Sequence, residues 1–111
     1  RGATLVRVAG QLGTRPGESG VDPAADFGTQ WAQAMANLVA VLAATGAAPQ
    51  HVVMLRAYVT DIGEFNKNGR AVGEAWGQTL GKHFPAMTLV QVSGLIDPNA
   101  KVEIEGEALL P

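Results

Sequence analysis

The stretch His51–Asn66, HVVMLRAYVTDIGEFN, changes its periodicity in the middle. From His51 to Thr60 the side chains alternate, with Val53, Leu55, Ala57 and Val59 on one face and Val52, Met54, Arg56 and Tyr58 on the other, the period of a β-strand. Asp61 ends that run. From about Glu64 to Leu80 the apolar residues Phe65, Val72, Trp76 and Leu80 recur at helical spacing, so a strand hands over to a second amphipathic helix.

Upstream, residues 4–11 alternate as a strand, with Val6 and Val8 on one side and Arg7, Ala9 and Gln11 on the other. Gly13 to Pro23 is rich in Gly and Pro and predicts a mobile surface connection. Asp26 then offers an N-cap, and Trp31, Met35, Leu38 and Leu42 mark a first helix that Gly46 stops. Downstream, residues 87–95 and 101–109 read as two strands, and Ile96-Asp97-Pro98-Asn99 supplies turn chemistry for a hairpin between them. The order strand, helix, strand, helix, strand, strand places the chain among α/β (α+β) proteins, with two helices packed on one face of a sheet.

The 111 residues suit a single domain, and 47% apolar with 16% charged residues excludes a disordered chain. A net charge of −2 gives no basic footprint for a phosphate backbone, so nucleic acid is not an expected partner. Without cysteine there is no disulfide, thiolate nucleophile or Cys-ligated metal. His51 and His83 lack the spacing of a ligand set, and no metal site is expected. No apolar run reaches the ~18 residues of a membrane helix. The chain opens on Arg1-Gly2 with no signal pattern, which leads to the expectation of a cytosolic protein trimmed at its N-terminus.

Splitting the strands by parity predicts two unlike faces. Val6, Val8, Val53, Leu55, Ala57, Val59, Val90, Val92, Val102, Ile104 and Ala108 form a face apolar enough to lie under the helices. The other parity mixes Arg7, Ala9, Gln11, Met54, Arg56, Tyr58, Met87, Leu89, Gln91 and Ser93 with Glu103, Glu105 and Glu107. Such a face suits burial against copies of the same chain, with paired charges and a cleft.

The ordered segments VRVAGQLG (6–13), VVMLRAYVTDIGEFN (52–66), PAMTLVQV (85–92) and KVEIEGEAL (101–109) resemble the reactive-intermediate deaminases, the Rid or YjgF-like proteins. The resemblance covers nearly the whole chain and lacks only a strand that the family has before position 1. It implies a chorismate-mutase-like fold, a homotrimer, and intersubunit clefts that bind small metabolites. It also implies hydrolysis of enamines and imines without metal or organic cofactor. In the family an arginine after Pro-Ala clamps the substrate carboxylate, and that position is Met87 here. The family's glutamate falls on Glu103, the candidate catalytic residue. A Ser-Gly-Gln segment becomes Ala9-Gly10-Gln11, and the helix asparagine has three candidate positions, Asn68, Arg70 and Gly73. The cleft is then expected to be bordered by Ala9, Gly10, Met54, Arg56, Met87 and Leu89.

A thioether neither carries charge nor donates a hydrogen bond, so either the substrate differs, or another cation serves, or the protein is a non-catalytic regulatory trimer whose interface Met54, Met87 and Leu89 fill. Glu103 can position water or donate a proton, or it can be an interface carboxylate paired with Arg7 or Arg56. Arg56 is the first candidate for a relocated anchor and Arg70 the second, although pairing with Glu105 and Glu107 is the simpler role for Arg56 and a solvated position for Arg70. Gly69, Gly73, Gly77 and Gly81 recur every four residues in the second helix. Close approach of another backbone is the better explanation, and room for a bulky ligand the alternative.

Overall fold

The computed structural model describes residues 2–111. Strand β1 (Thr4–Leu12) leads through a loop to helix α1 (Phe27–Ala44), and a short 3-10 turn at Pro49–His51 enters β2 (Val52–Val59). Helices α2 (Ile62–Lys67) and α3 (Gly69–Thr79) follow, then β3 (Ala86–Gln91) and β4 (Val102–Leu110). The sheet order is β1-β4-β2-β3, with β2 and β3 parallel and the other pairs antiparallel.

This order corrects the expected hairpin, because β3 and β4 are separated by β2. The turn chemistry is real, with Ala100 N–H donating to the Asp97 carbonyl at 3.0 Å, but it folds a crossover instead. Burial explains the insertion: Val102, Ile104, Gly106 and Ala108 are all buried, so β4 takes a central place. The six-residue β3 follows Pro85, which has no N–H for a ladder, and it stays at the edge.

Helix α1 lies across the sheet, burying Trp31, Met35, Leu38 and Leu42 against Val8, Leu55, Ala57, Val102, Ile104 and Ala108. Asp26 caps it by accepting from Thr29 N at 2.8 Å, and this bond holds the Asp26 carboxyl below its usual range. The second helical stretch is not one helix from Glu64. Asp61 caps α2 by accepting from Gly63 N at 2.9 Å, and Asn68 interrupts the helix while its side-chain amide donates to the Glu64 carbonyl at 2.7 Å. Nor is the loop before α1 loosely attached. Val21 is buried, Asn37 donates to the Leu12 and Thr14 carbonyls, and Asp97 accepts from Val21 N.

The glycine stripe does not make the expected close approach to another backbone within the chain. A β-carbon at Gly69, Gly73 or Gly77 would meet nothing within 4 Å, and Gly81, with φ of 64°, ends α3 by donating to the Trp76 carbonyl. The tight helix contact comes from α1, where a β-carbon on Gly28 would stand 3.1 Å from Ala71 Cβ. Gly73→Ala and Gly77→Ala are therefore expected to stabilise the chain by about 0.8–1 kcal/mol each, raising the thermal midpoint by roughly 4–8 °C each in calorimetry. A loss of stability would place another molecule against that stripe.

Candidate functional site

The sheet face turned away from the helices is built by β1, β4 and β2 side by side. The β1–β4 register shifts between Val8 and Gln11, so Ala9 and Gly10 form a bulge opposite Glu105. One consequence corrects the parity reading: Gln11 pairs with the buried Ile104, and Leu12, not Gln11, comes beside Glu103. A second bulge between Val52 and Met54 turns Val52 inward, at 2% exposure, and leaves Val53 at 41%.

Gly10 and Glu103 are in direct contact. A β-carbon on Gly10 would lie 2.7 Å from Glu103 Cγ and overlap its carboxylate, so any larger residue would force this acid out of its position over the bulge. Ala9, the exposed half of the bulge, accepts through its carbonyl from the Gln11 amide at 3.0 Å. Among the described residues Glu103 joins no ion pair.

The cations of this face go to the other two glutamates. Arg56 reaches Glu105 at 3.2 Å and Glu107 at 3.6 Å, and Arg7 reaches Glu107 at 3.5 Å. The Tyr58 hydroxyl donates to the same Glu105 oxygen at 3.1 Å. Desolvation first, then this hydrogen bond and the Glu105 charge, raise the Tyr58 pKa, so Tyr58 remains a donor well above neutrality. The Arg56 pairs are half-buried and Arg7 is mostly exposed, so each pair contributes about 1 kcal/mol or less to the isolated chain. Met54, beside Glu107 in the ladder, borders the network.

Met87 and Leu89 are on the opposite side. Their partners across the parallel pair are the fully buried Leu55 and Ala57, and both pack against the core beneath the helices. Val90 exchanges faces with them: expected beneath the helices, it stands beside Tyr58 on the uncovered face at 41% exposure, and Thr88 stands beside Arg56. Within one chain, then, Ala9, Gly10, Met54, Arg56 and Glu103 share a face from which Met87 and Leu89 are separated by the sheet. Met87 and Leu89 lie on the edge strand, whose outer side has no strand neighbour among the described residues.

Of the remaining candidates, Asn68 is engaged in capping, Arg70 is exposed on α3, and Gly73 is open. Both histidines have structural partners: His51 Nδ1 accepts from Ala48 N at 2.9 Å, and His83 Nε2 donates to the Val52 carbonyl at 2.7 Å. Two features escaped sequence reasoning. Tyr58 joins the acidic network, which its parity beside Arg56 could have suggested. The buried Gln30 joins three segments of chain, and nothing in the helix pattern around it signals that.

The endoribonuclease L-PSP family matches residues 2–110. Protein DfrA of Myxococcus xanthus is 36% identical over 107 residues, spanning 91% of this chain and 78% of that protein. Among solved structures, Rv2704 of Mycobacterium tuberculosis, a member of the YjgF family, is 35% identical with a TM-score of 0.76, covering 99% of this chain and 82% of the other. The Rid-family protein YyfB of Yersinia pestis is 30% identical with a TM-score of 0.83, covering 98% and 80%.

Proposed function

We propose, from the premise that this chain belongs to the endoribonuclease L-PSP family of YjgF/Rid proteins, that it is a homotrimer holding a small metabolite other than a simple 2-imino acid in clefts between subunits. The observation that carries this reading is Met87. It occupies the position after Pro85-Ala86 where the resemblance implies a carboxylate-clamping arginine, and it is half-buried against Leu55 and the core. A ligand that meets Met87 at the edge of β3 meets a polarisable apolar side chain, which favours a neutral or apolar group over a carboxylate.

Glu103, seated over Gly10 and free of an ion-pair partner among the described residues, is the acid available to orient water or exchange a proton. Imine deamination with a relocated anchor has less support, since the Arg56 guanidinium is already held by Glu105 and Glu107. An endoribonuclease activity is also weakly supported: the net charge is −2, and Arg7 and Arg56 are both tied to carboxylates.

Release of ammonia from freshly generated 2-iminobutyrate tests the proposal. Loss of a buried charge partner costs about 2–5 kcal/mol, so kcat/KM is expected to be at least about thirtyfold below that of relatives with the arginine. Equal efficiency would overturn the reading and return a carboxylate clamp to the cleft.

A further inference from the structure

We propose that the cleft where the end of β2, the 93–101 crossover and the loop before α1 meet is a second binding site, for a small organic molecule carrying an oxyanion. The cleft holds about 510 Å³, within the range of small-molecule sites. It contains none of the residues of the sheet face, so it stands or falls independently of the intersubunit cleft.

Three properties point to the ligand. The first is the polar lining, which comprises the hydroxyl residues Thr60 and Ser93, the amide of Asn99, and Lys101. Among the described residues none of these side chains makes a hydrogen bond or ion pair within the chain, whereas the backbone N–H of Thr60 and both backbone groups of Asn99 and Lys101 are engaged. Four unspent donor groups, one of them cationic, suit an acceptor-only oxyanion. The second is the sign of the charge. No carboxylate lines the cleft: Asp26, whose charge reaches Lys101 from outside it, forms no ion pair and caps α1, and Asp97, within the same crossover, has its oxygens occupied by Val21 N at 2.8 Å and Asn99 N at 2.9 Å. The third is the apolar remainder of the wall, Pro23, Leu95 and Pro98, which gives a hydrocarbon body something to pack against.

The walls are held in place before any ligand arrives. Gln30 bonds the Asn99 carbonyl and the Lys101 N–H, Thr60 N donates to the Lys101 carbonyl at 3.1 Å, and Asp97 ties the crossover to Val21. A pocket fixed in this way loses little conformational freedom on binding.

Amide chemical shifts of the intact protein, followed during titration with benzoate and with phenyl phosphate at matched ionic strength, test the proposal. Benzyl alcohol serves as the neutral control. Saturable shifts centred on Thr60, Ser93, Gly94 and Lys101 are expected with at least one anion, and tighter binding of one or the other identifies a carboxylic acid or a phosphate ester as the ligand class. Lys101→Met should weaken binding about tenfold or more, and Ser93→Ala, an exposed change that leaves the fold intact, by about threefold. The proposal is overturned if no saturation occurs below about 10 mM. It is equally overturned if benzyl alcohol binds as well as the anions, or if a folded Lys101→Met or Ser93→Ala protein binds with unchanged affinity.

Discussion

Gln30→Leu is expected to lower the free energy of unfolding by about 3–6 kcal/mol, the largest effect of any single change outside the apolar core. The Gln30 side chain is fully buried, and its amide donates to the Ala25 carbonyl at 3.1 Å and the Asn99 carbonyl at 3.0 Å. Its oxygen accepts from Lys101 N at 2.8 Å. Leucine matches the volume but leaves three backbone groups without partners, each at about 1–3 kcal/mol, because no other side chain stands in their place. Gly13 shows how close the packing is there, since a β-carbon on it would lie 2.7 Å from Gln30 Cα. Against a total stability of about 5–15 kcal/mol, the loss should lower the thermal midpoint by more than about 10 °C. Gln78→Leu, on the exposed face of α3, should change stability by no more than about 0.5 kcal/mol and controls for added hydrophobicity. A Gln30→Leu midpoint within about 2 °C of the parent would show that packing replaces the clamp.

Gln30 illustrates which part of the molecule is legible from sequence. Elements whose identity depends on periodicity are: α1 begins behind the Asp26 cap, and β2 and β4 follow their alternation. What alternation alone cannot supply is register. Residues 86–92 place apolar side chains on both parities, Met87 and Leu89 against Val90 and Val92, so the pattern is degenerate and only the pairing with Leu55 and Ala57 decides. The bulges at Ala9-Gly10 and at Val53 shift parity for the same reason, because each depends on the partner strand. Strand order is a property of the whole sheet, and a turn sequence such as Asp97-Pro98-Asn99 bends the chain without stating which strand it will meet.

The candidate site divides along the same line. Glu103 and Arg56 are legible because a regular β4 and β2 carry them to one face, and Gly10 because its β1 segment carries the family resemblance. The contact of Gly10 with Glu103 is not, since it arises from the bulge. The glycine stripe of α3 shows the converse: a conspicuous pattern finds no partner inside the chain, while Gly28 of α1, inconspicuous in sequence, makes the close contact with Ala71.

Val90→Asp is expected to dissociate the proposed trimer while leaving each chain folded, and Leu89→Asp is expected to do the reverse of that order, unfolding the chain first. The two residues are adjacent, and the sheet decides between them. Val90 pairs with Tyr58 on the uncovered face and is 41% exposed, and that face also leaves Leu5 49% and Leu109 44% exposed beside the Arg7, Arg56, Glu105 and Glu107 network. Copies packed on this face would bury the apolar part and enclose the charges. A further carboxylate next to Tyr58, with Glu103 on the far side of Tyr58 and the Arg56 guanidinium already held by Glu105 and Glu107, would then be desolvated without a free cation to meet it, at about 3–5 kcal/mol per interface, which weakens association by at least about a hundredfold. Light scattering at low micromolar concentration should report about three times 11.5 kDa for the parent and 11.5 kDa for Val90→Asp, with unchanged far-ultraviolet dichroism. Leu89, by contrast, pairs with the fully buried Ala57 and packs on the core, so an aspartate there removes core contacts and desolvates its own charge within the chain. An assembly that survives Val90→Asp would mean that copies meet through some other surface, and Glu103, on the open face, would then face solvent and not a neighbouring subunit.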